Sequence, residues 1–305
     1  MFKVLYVIDS MGVGGAERHL VQIAGYLAGR GVEQKLAQIY HEENFLLPEL
    51  NARKIEVVDL GGRKGLSALA LSFLPLVQYC RAWKPDLICT QLAVSDILGR
   101  SVGKILGIPV VSIWQNTTYE RINWTERRRP HPILWVMKLL DLMTARFASR
   151  FIAVSQAVAQ CHREALGLSS ALCTVIPNTV DLKRFPDINP KAEKKAGRLR
   201  LIHIGRHVPH KGIDTLLQAL ALLPEDLDVL VDSFGEGPLT QELERQARSL
   251  KVQARFRFQG LKADLAADLL KADAAVFPSY REGLSLAYLE ALAAGTRARV
   301  RKIST

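Results

Sequence analysis

Apolar residues along this chain fall into short continuous runs, separated by longer stretches in which they recur every three or four positions. The runs predict strands buried on both faces of a parallel sheet, and the stretches between them predict helices covering that sheet. Phe2 to Ile8 is the first run, followed by Gly12, Gly14 and Gly15 and a helical pattern from Ala16 to Arg30. Further strands are expected at Gln34 to Ile39, Leu87 to Gln91, Val110 to Trp114 and Phe151 to Val154. Pro85 and Pro109 punctuate two of the strand entries, and Val175-Ile176-Pro177-Asn178 closes this half.

From Asp181 to Arg198 the chain turns polar, with Pro186, Pro190 and four lysines, as an exposed linker does. A second strand–Gly–helix opening follows at Leu199 to Ile204, Gly205 and Gly212 to Leu223. Strands at Asp228 to Val231, Arg255 to Gln259 and Ala274 to Phe277 alternate with helices at Leu239 to Leu250 and Ala263 to Lys271, and a last helix carries Glu290. The alternation predicts an α/β protein with two similar parallel-sheet domains, residues 1–180 and 199–305, joined by a linker at 181–198.

At 305 residues the chain is long enough for two such domains, and its 49% hydrophobic and 23% charged content is that of a folded protein. Leu66 to Cys80 is the most apolar stretch, but it holds Pro75 and is too short to cross a bilayer. Met1 to Ile8 lacks a signal peptide's cleavage pattern, so a cytoplasmic protein is expected. Cys80, Cys89, Cys161 and Cys173 form no C-x-x-C pair and are expected to be buried free thiols.

A net charge of +11 calls for an anionic partner. Arg121, Arg127, Arg128, Arg129, Lys138, Arg146 and Arg150 are interleaved with Trp124, Trp135, Leu139, Met143 and Phe147. The segment from Arg121 to Arg150 therefore suits an anionic membrane surface, with the protein peripheral on the inner face of the membrane. A core-facing helix behind a solvated basic loop is the other reading. Nucleic acid is not expected, because no helix-turn-helix, zinc-finger or aromatic RNA-binding pattern accompanies the charge.

Gly12-Val13-Gly14-Gly15-Ala16-Glu17 approaches a dinucleotide fingerprint but has Glu17 at its third glycine position. In the second half, Gly205-Arg206 and Lys211-Gly212 bracket the loop between a parallel strand and a helix. Two cations there suit a diphosphate, and an exposed Arg and Lys in a loop is the plain alternative. Asp232 and Asp273 lack partners at metal-ligand spacing, so no metal and no cofactor are expected. Arg206 and Lys211 would then stabilise the leaving group themselves.

Glu282 and Glu290 stand eight residues apart. On one helix that is about 12 Å at roughly 1.5 Å per residue. Two carboxylates sharing a hydrolytic bond need separations of about 5 to 9.5 Å. The spacing suits a ligand with hydroxyls at both ends and phosphate between them, attracted to a helix N-terminus beside Gly283. Two solvated glutamates on an amphipathic helix would look the same.

Taken in order, Gly14-Gly15-Ala16-Glu17, Ala153-Val154-Ser155, Val175 to Asn178, Asp181 to Phe185, Gly205-Arg206 with Lys211-Gly212, Gly235-Glu236-Gly237-Pro238 and Pro278-Ser279 leading into Glu282 to Glu290 resemble the retaining glycosyltransferases of family 4. The resemblance runs from residue 2 to about Thr296. It implies the GT-B fold, two Rossmann-like domains facing a cleft, and a hexosyltransferase-type reaction. A sugar would pass from a nucleotide-diphosphate donor to a glycan or lipid-linked acceptor, with retention and without metal.

By that resemblance Arg206, Lys211 and Glu282 are the catalytic candidates. Arg206 and Lys211 would grip the donor diphosphate, Glu282 the sugar hydroxyls and Glu290 the ribose hydroxyls. Backbone amides at Gly283 and Leu284 would reach phosphate and sugar, Gly235 and Gly237 would lie by the base, and Gly15 would meet the diphosphate. Gly14, Gln115 and Asn116 fall on the acceptor side. Many family members place a histidine after the strand that here ends at Trp114. Gln115-Asn116 replaces it, and an amide can hydrogen-bond without shuttling protons.

Past Gly295 the family continues with a buried apolar strand, whereas Arg297-Ala298-Arg299-Val300-Arg301-Lys302 cannot be buried on both faces. The sequence alone therefore suggests a truncated or frameshifted C-terminal domain, and an inactive remnant as the alternative to an active transferase.

Overall fold

The computed structural model describes residues 1–12, 14–41, 46–63, 65, 67–119, 132–185 and 197–300. Two compact units divide the chain, Met1–Asn178 and Thr179–Thr305.

The first unit runs β1 (Phe2–Ile8), α1 (Gly15–Leu27), β2 (Val32–Gln38), α2 (Leu47–Ala52), β3 (Glu56–Asp59), α3 (Ser67–Trp83), β4 (Leu87–Gln91), α4 (Ala93–Leu106), β5 (Val110–Trp114), α5 (Pro132–Ala145), β6 (Arg150–Ala153), α6 (Gln156–Leu166) and β7 (Cys173–Val175). Its seven strands are all parallel, in the order β3-β2-β1-β4-β5-β6-β7. The continuous apolar runs are explained by the two cores. Val4, Tyr6 and Ile8 of β1 join one of them and Leu5 and Val7 the other, because successive side chains leave a strand on opposite faces. The sheet's order reverses between β1 and β4, which makes their carboxyl ends the crevice of this unit.

Three elements were not expected from the pattern: α2, β3 and β7. β3 and β7 are the two edges of the sheet, short and only partly buried, so they carry no long apolar run. Pro75 sits inside α3 without ending it. Of the four cysteines only Cys80 and Cys89 are buried. Cys161 and Cys173 are half-buried, on the less enclosed α6 and β7.

Helix α5 is turned against its own composition. Asp141, Thr144 and Ala145 are buried, while Ile133, Trp135, Val136, Leu139, Leu142 and Met143 are exposed. The reason lies beneath it. Arg100 of α4 is fully buried and pairs with Asp141, which also accepts a hydrogen bond from the Tyr119 hydroxyl. A buried guanidinium needs a carboxylate, so the ion pair fixes the helix's inner face. The arginines expected at 121 and 127–129 lie outside the described residues.

The second unit begins earlier than the polar composition suggested. Residues 182–184 form a 3-10 turn, and Phe185 is 3% exposed, packed with Ile202, Phe234 and Phe277. The start of the expected linker is thus part of this unit's core, and residues 186–196 lie outside the described residues. Then follow β8 (Leu199–Ile204), α7 (Ile213–Ala221), β9 (Val229–Phe234), α8 (Thr240–Ser249), β10 (Phe256–Gly260), α9 (Ala266–Lys271), β11 (Ala274–Phe277), α10 (Leu286–Ala293) and β12 (Arg297–Val300). The five parallel strands are ordered β10-β9-β8-β11-β12, with the reversal between β8 and β11.

The arginine-rich stretch after Gly295 forms a strand that, as expected, is not buried on both faces. β12 pairs with β11 at the sheet edge, with Ala298 packed against the core and Arg297 and Arg299 exposed. Alternation lets an edge strand carry arginines that a central strand could not.

Candidate functional site

The carboxyl ends of β8, β9 and β11 assemble a polar cluster from three loops. Gly235 has φ +134°, and a Cβ there would stand 2.1 Å from the Gly205 carbonyl oxygen. Only glycine permits this contact between the loops that follow β9 and β8. The same turn is tied down again where the His207 N–H donates to the Glu236 carbonyl at 3.0 Å, and a Cβ on Gly237 would meet the His207 carbonyl oxygen at 2.5 Å.

A second junction brings in the loop after β11. Gly212, at φ +66°, lies so close to Pro278 that a Cβ would meet its carbonyl oxygen at 2.3 Å. The Tyr280 N–H donates to the His210 carbonyl at 2.8 Å, and the hydroxyls of Tyr280 and Thr215 share a hydrogen bond of 2.7 Å. These contacts deliver Lys211 to Glu282: Lys211 Nζ donates to Glu282 Oε1 at 2.6 Å, and Ser279 Oγ donates to the same oxygen at 2.7 Å. Arg206 stands exposed in the same loop as Lys211.

The histidines around this loop are held neutral. His203 is 1% exposed beneath Gly205, and burial, reinforced by Lys211 and His207, pushes it down to about 3. His210 is pushed to about 4 by burial first, then by Lys211 and Arg281, with Glu282 opposing. Neither is a cation in the diphosphate's expected place at neutral pH.

Glu290 is placed differently from Glu282. It lies within α10, 6% exposed, and Arg184 Nη1 donates to its Oε1 at 2.6 Å. Glu282 lies before that helix, which starts at Leu286 with Ser285 Oγ accepting from the Tyr288 N–H at 3.4 Å. The expectation of two glutamates on one helix, with its N-terminus at Gly283, is corrected here: Ser285 is the cap, and Gly283 and Leu284 lie in the loop ahead of it.

In the first unit Gly14 is the extended residue before α1, and the Glu17 carboxylate folds back over it. Gly15 is exposed, with nothing within 4 Å of a Cβ placed there. Gln115 Nε2 donates to His19 Nδ1 at 2.6 Å, with Gln91 Nε2 3.3 Å from the same nitrogen. Asn116 is exposed and its carbonyl lies 2.9 Å from His162 Nε2. The glutamine that stands where a histidine was looked for therefore has a histidine against it. That histidine comes from α1 and is pushed to about 4 by burial.

Of the expected donor residues, the structure brings Arg206, Lys211, Gly235, Gly237, Glu282, Gly283, Leu284 and Glu290 to one edge of the second sheet. Gly14, Gly15, Gln115 and Asn116 follow β1 and β5 of the first. Three side chains that touch the candidate residues were missed: Arg184, Ser279 and His19. Arg184 and Ser279 lie inside segments that already carried the resemblance, Asp181 to Phe185 and Pro278-Ser279. His19 follows Gly15 by one helical turn, the spacing that puts two residues on one face. Among the described residues no group of three His, Cys, Asp or Glu stands ready to hold a metal ion, and no helix is long and apolar enough to cross a membrane.

Residues 13–184 match the family model described as Glycosyltransferase Family 4, and residues 185–298 match Glycosyl transferases group 1. The chain belongs to glycosyltransferase family 4. Among its relatives is the Escherichia coli UDP-Gal:alpha-D-GlcNAc-diphosphoundecaprenol alpha-1,3-galactosyltransferase, 27% identical over 73% of this chain and 59% of the relative. A Mycobacterium tuberculosis GDP-mannose-dependent alpha-(1-6)-phosphatidylinositol dimannoside mannosyltransferase is 32% identical over 55% of this chain and 45% of the relative. The chain thus spans about half the length of the curated relatives it matches.

The same fold occurs in Anabaena Alr3699/HepE in complex with UDP-glucose, at TM-score 0.79 and 24% identity, covering 100% of this chain and 81% of that one. It occurs as well in the sucrose-phosphate synthase of Thermosynechococcus elongatus, at TM-score 0.80 and 18% identity, covering 100% and 82%. The expected GT-B class of two parallel-sheet Rossmann-like units is the fold found.

Proposed function

We propose that this chain transfers a sugar from a nucleoside-diphosphate sugar to a glycan or lipid-linked acceptor, with retention of configuration and without a metal. The observation carrying the reading is the meeting of Lys211 and Glu282 at the carboxyl edge of the second sheet, with Arg206 in the same loop and Glu290 on the helix that follows. Cation and carboxylate neutralise each other there. A diphosphate carries the charge that would draw Lys211 away, and a sugar carries the hydroxyls that would take its place on Glu282.

In this reading Arg206 and Lys211 stabilise the departing diphosphate, where a metal ion serves in other transferases. Glu282 orients the sugar and Glu290 the ribose. The amides of Gly283 and Leu284 reach phosphate and sugar, and Gly235 and Gly237 border the base. The glycosidic C–O bond to phosphate breaks and the acceptor oxygen bonds the same carbon from the same face. The departing phosphate oxygen takes the acceptor's proton, so no side chain need be nucleophile or base. In the first unit Gly15, open to close approach, is the candidate for a donor contact, and Gly14, Gln115 and Asn116 are the candidates for the acceptor side.

Two relatives are named for lipid-linked acceptors, a diphosphoundecaprenol and a phosphatidylinositol dimannoside. The exposed apolar face of α5 and the cations Lys138 and Arg146 suit an anionic membrane surface where such acceptors reside. Isothermal titration with UDP, GDP and ADP tests the donor site. One of them should bind without added divalent metal, and Lys211→Ala should abolish that binding. Failure of all three to bind the intact protein would overturn the reading.

A further inference from the structure

We propose that Arg184, on the turn that opens the second unit, is a positioning residue that holds the Glu290 carboxylate for ribose, so that ribose recognition depends on it. The inference rests on the donor-site reading above for Glu290 and adds to it a residue that the reading does not contain.

The geometry is a chain of placements. Asp181 Oδ1 accepts from the Lys183 N–H at 3.0 Å, and the Arg184 and Phe185 N–H groups return to the Asp181 and Leu182 carbonyls at 3.2 and 3.0 Å. This tight turn ends on Phe185, which is buried in the core beside Ile202 and Phe277. With Phe185 inserted, the Arg184 side chain is committed to the surface beside it, its guanidinium 5.7 Å from the Phe185 ring. The fork then spans two carboxylates. Nη1 reaches Glu290 Oε1 at 2.6 Å and Nη2 reaches Asp264 Oδ1 at 2.8 Å. Asp264 is held in turn by the Ala266 N–H at 3.0 Å, at the start of α9.

Two physical requirements make this more than an ion pair. The Glu290 side chain is 7% exposed, and an ionised carboxylate that deeply placed is tolerated only beside a paired charge. A carboxylate that accepts from sugar hydroxyls must also present its oxygens in one orientation. A guanidinium fixed at both ends, bonded to Oε1, supplies that orientation before any ligand arrives. Lysine could supply the charge but not the second anchor to Asp264.

The test compares UDP with 2′,3′-dideoxy-UDP by titration calorimetry, with the GDP pair run in parallel and inorganic pyrophosphate as a probe of the Arg206–Lys211 end alone. Wild-type protein should prefer the ribonucleotide by about tenfold or more, the size of a charge-assisted hydrogen bond. Arg184→Gln should bind the ribonucleotide no better than the dideoxy compound while pyrophosphate binding is unchanged.

The double variant Arg184→Gln/Glu290→Gln removes both members of the ion pair, so it keeps the comparison available if the single variant does not fold. It should match Glu290→Gln alone, because Arg184 acts through Glu290. An Arg184→Gln variant that retains the full ribose preference, or binds UDP more tightly than wild type, overturns the proposal. So does a double variant weaker than Glu290→Gln. If no nucleoside diphosphate binds wild-type protein, the donor-site reading itself falls, and this inference with it.

Discussion

Gly235 and Gly15 show how one residue type serves two purposes, and the same substitution separates them. Alanine at 235 would carry its Cβ into the Gly205 carbonyl, at a backbone angle that L side chains avoid, inside the junction that holds the site loops. Gly235→Ala should therefore destabilise the second unit by about 1–3 kcal/mol, seen as an earlier urea transition. At Gly15 the space around a Cβ is empty. Gly15→Ala should leave the urea transition where it is, or move it slightly up, because alanine suits a helix better. If Gly15 is where the diphosphate approaches, sugar transfer should nevertheless fall in that variant. A Gly15→Ala protein of normal stability and full turnover would remove Gly15 from the site. Neither outcome could be read from the sequence, which shows glycines in loops after strands without showing what each one faces. The Lys211–Glu282 pair was equally hidden: its members are 71 residues apart and meet only because Gly212 lies against Pro278.

At the scale of elements, five strands were legible to the residue, while β2, β6, β9 and β10 lie one to three residues from where they were expected. Phe2–Ile8, Leu87–Gln91, Val110–Trp114, Leu199–Ile204 and Ala274–Phe277 all lie where their apolar runs lie. What composition could not convey was orientation. Helix α5 reads as apolar with scattered cations, which left two orientations open, the apolar side toward a membrane surface or toward the core. The buried Arg100 turns the apolar side outward by taking Asp141 inward, and that partner is 41 residues away. The outward face of Ile133, Trp135, Val136, Leu139, Leu142 and Met143 is then the part that would enter a membrane surface. Trp135→Ala/Leu139→Ala should markedly reduce sedimentation with vesicles containing anionic lipid, without moving the thermal transition, since both side chains are exposed. Raising salt should weaken the wild-type interaction by screening the cations. Unchanged sedimentation of the double variant would dismiss the membrane reading of α5.

For the whole molecule, the buried titratable groups set different demands in the two units. His19 and His162 in the first unit are pushed to about 4, and His203 and His210 in the second to about 3 and 4, in each case chiefly by burial. A histidine whose folded value lies below its unfolded value contributes stability that is fully present above about 6.5 and is lost as pH falls through the folded value. Each unprotonated buried histidine costs the folded state about 1.4 kcal/mol per pH unit across that window. The first unit holds a counterweight. Burial raises Asp9 to about 6 and Asp96 to about 7, so these two carboxyls bind protons in the folded unit that they do not bind in its unfolded chain, and their contribution to stability grows as pH falls toward 4, offsetting the loss from His19 and His162. In the second unit burial also holds His207 below its ordinary value, and the loss there adds to that of His203 and His210. Acid should accordingly loosen the second unit first. All four tryptophans, Trp83, Trp114, Trp124 and Trp135, belong to the first unit, so fluorescence reports on that unit while far-ultraviolet circular dichroism reports on both. Between pH 7.5 and pH 5 the urea transition seen by circular dichroism should split. A new early phase should appear that fluorescence does not follow, and His203→Gln should shrink the pH dependence of that phase. Parallel movement of both signals would mean that the two units share one acid response, and the raised Asp9 and Asp96 would then have no consequence for stability.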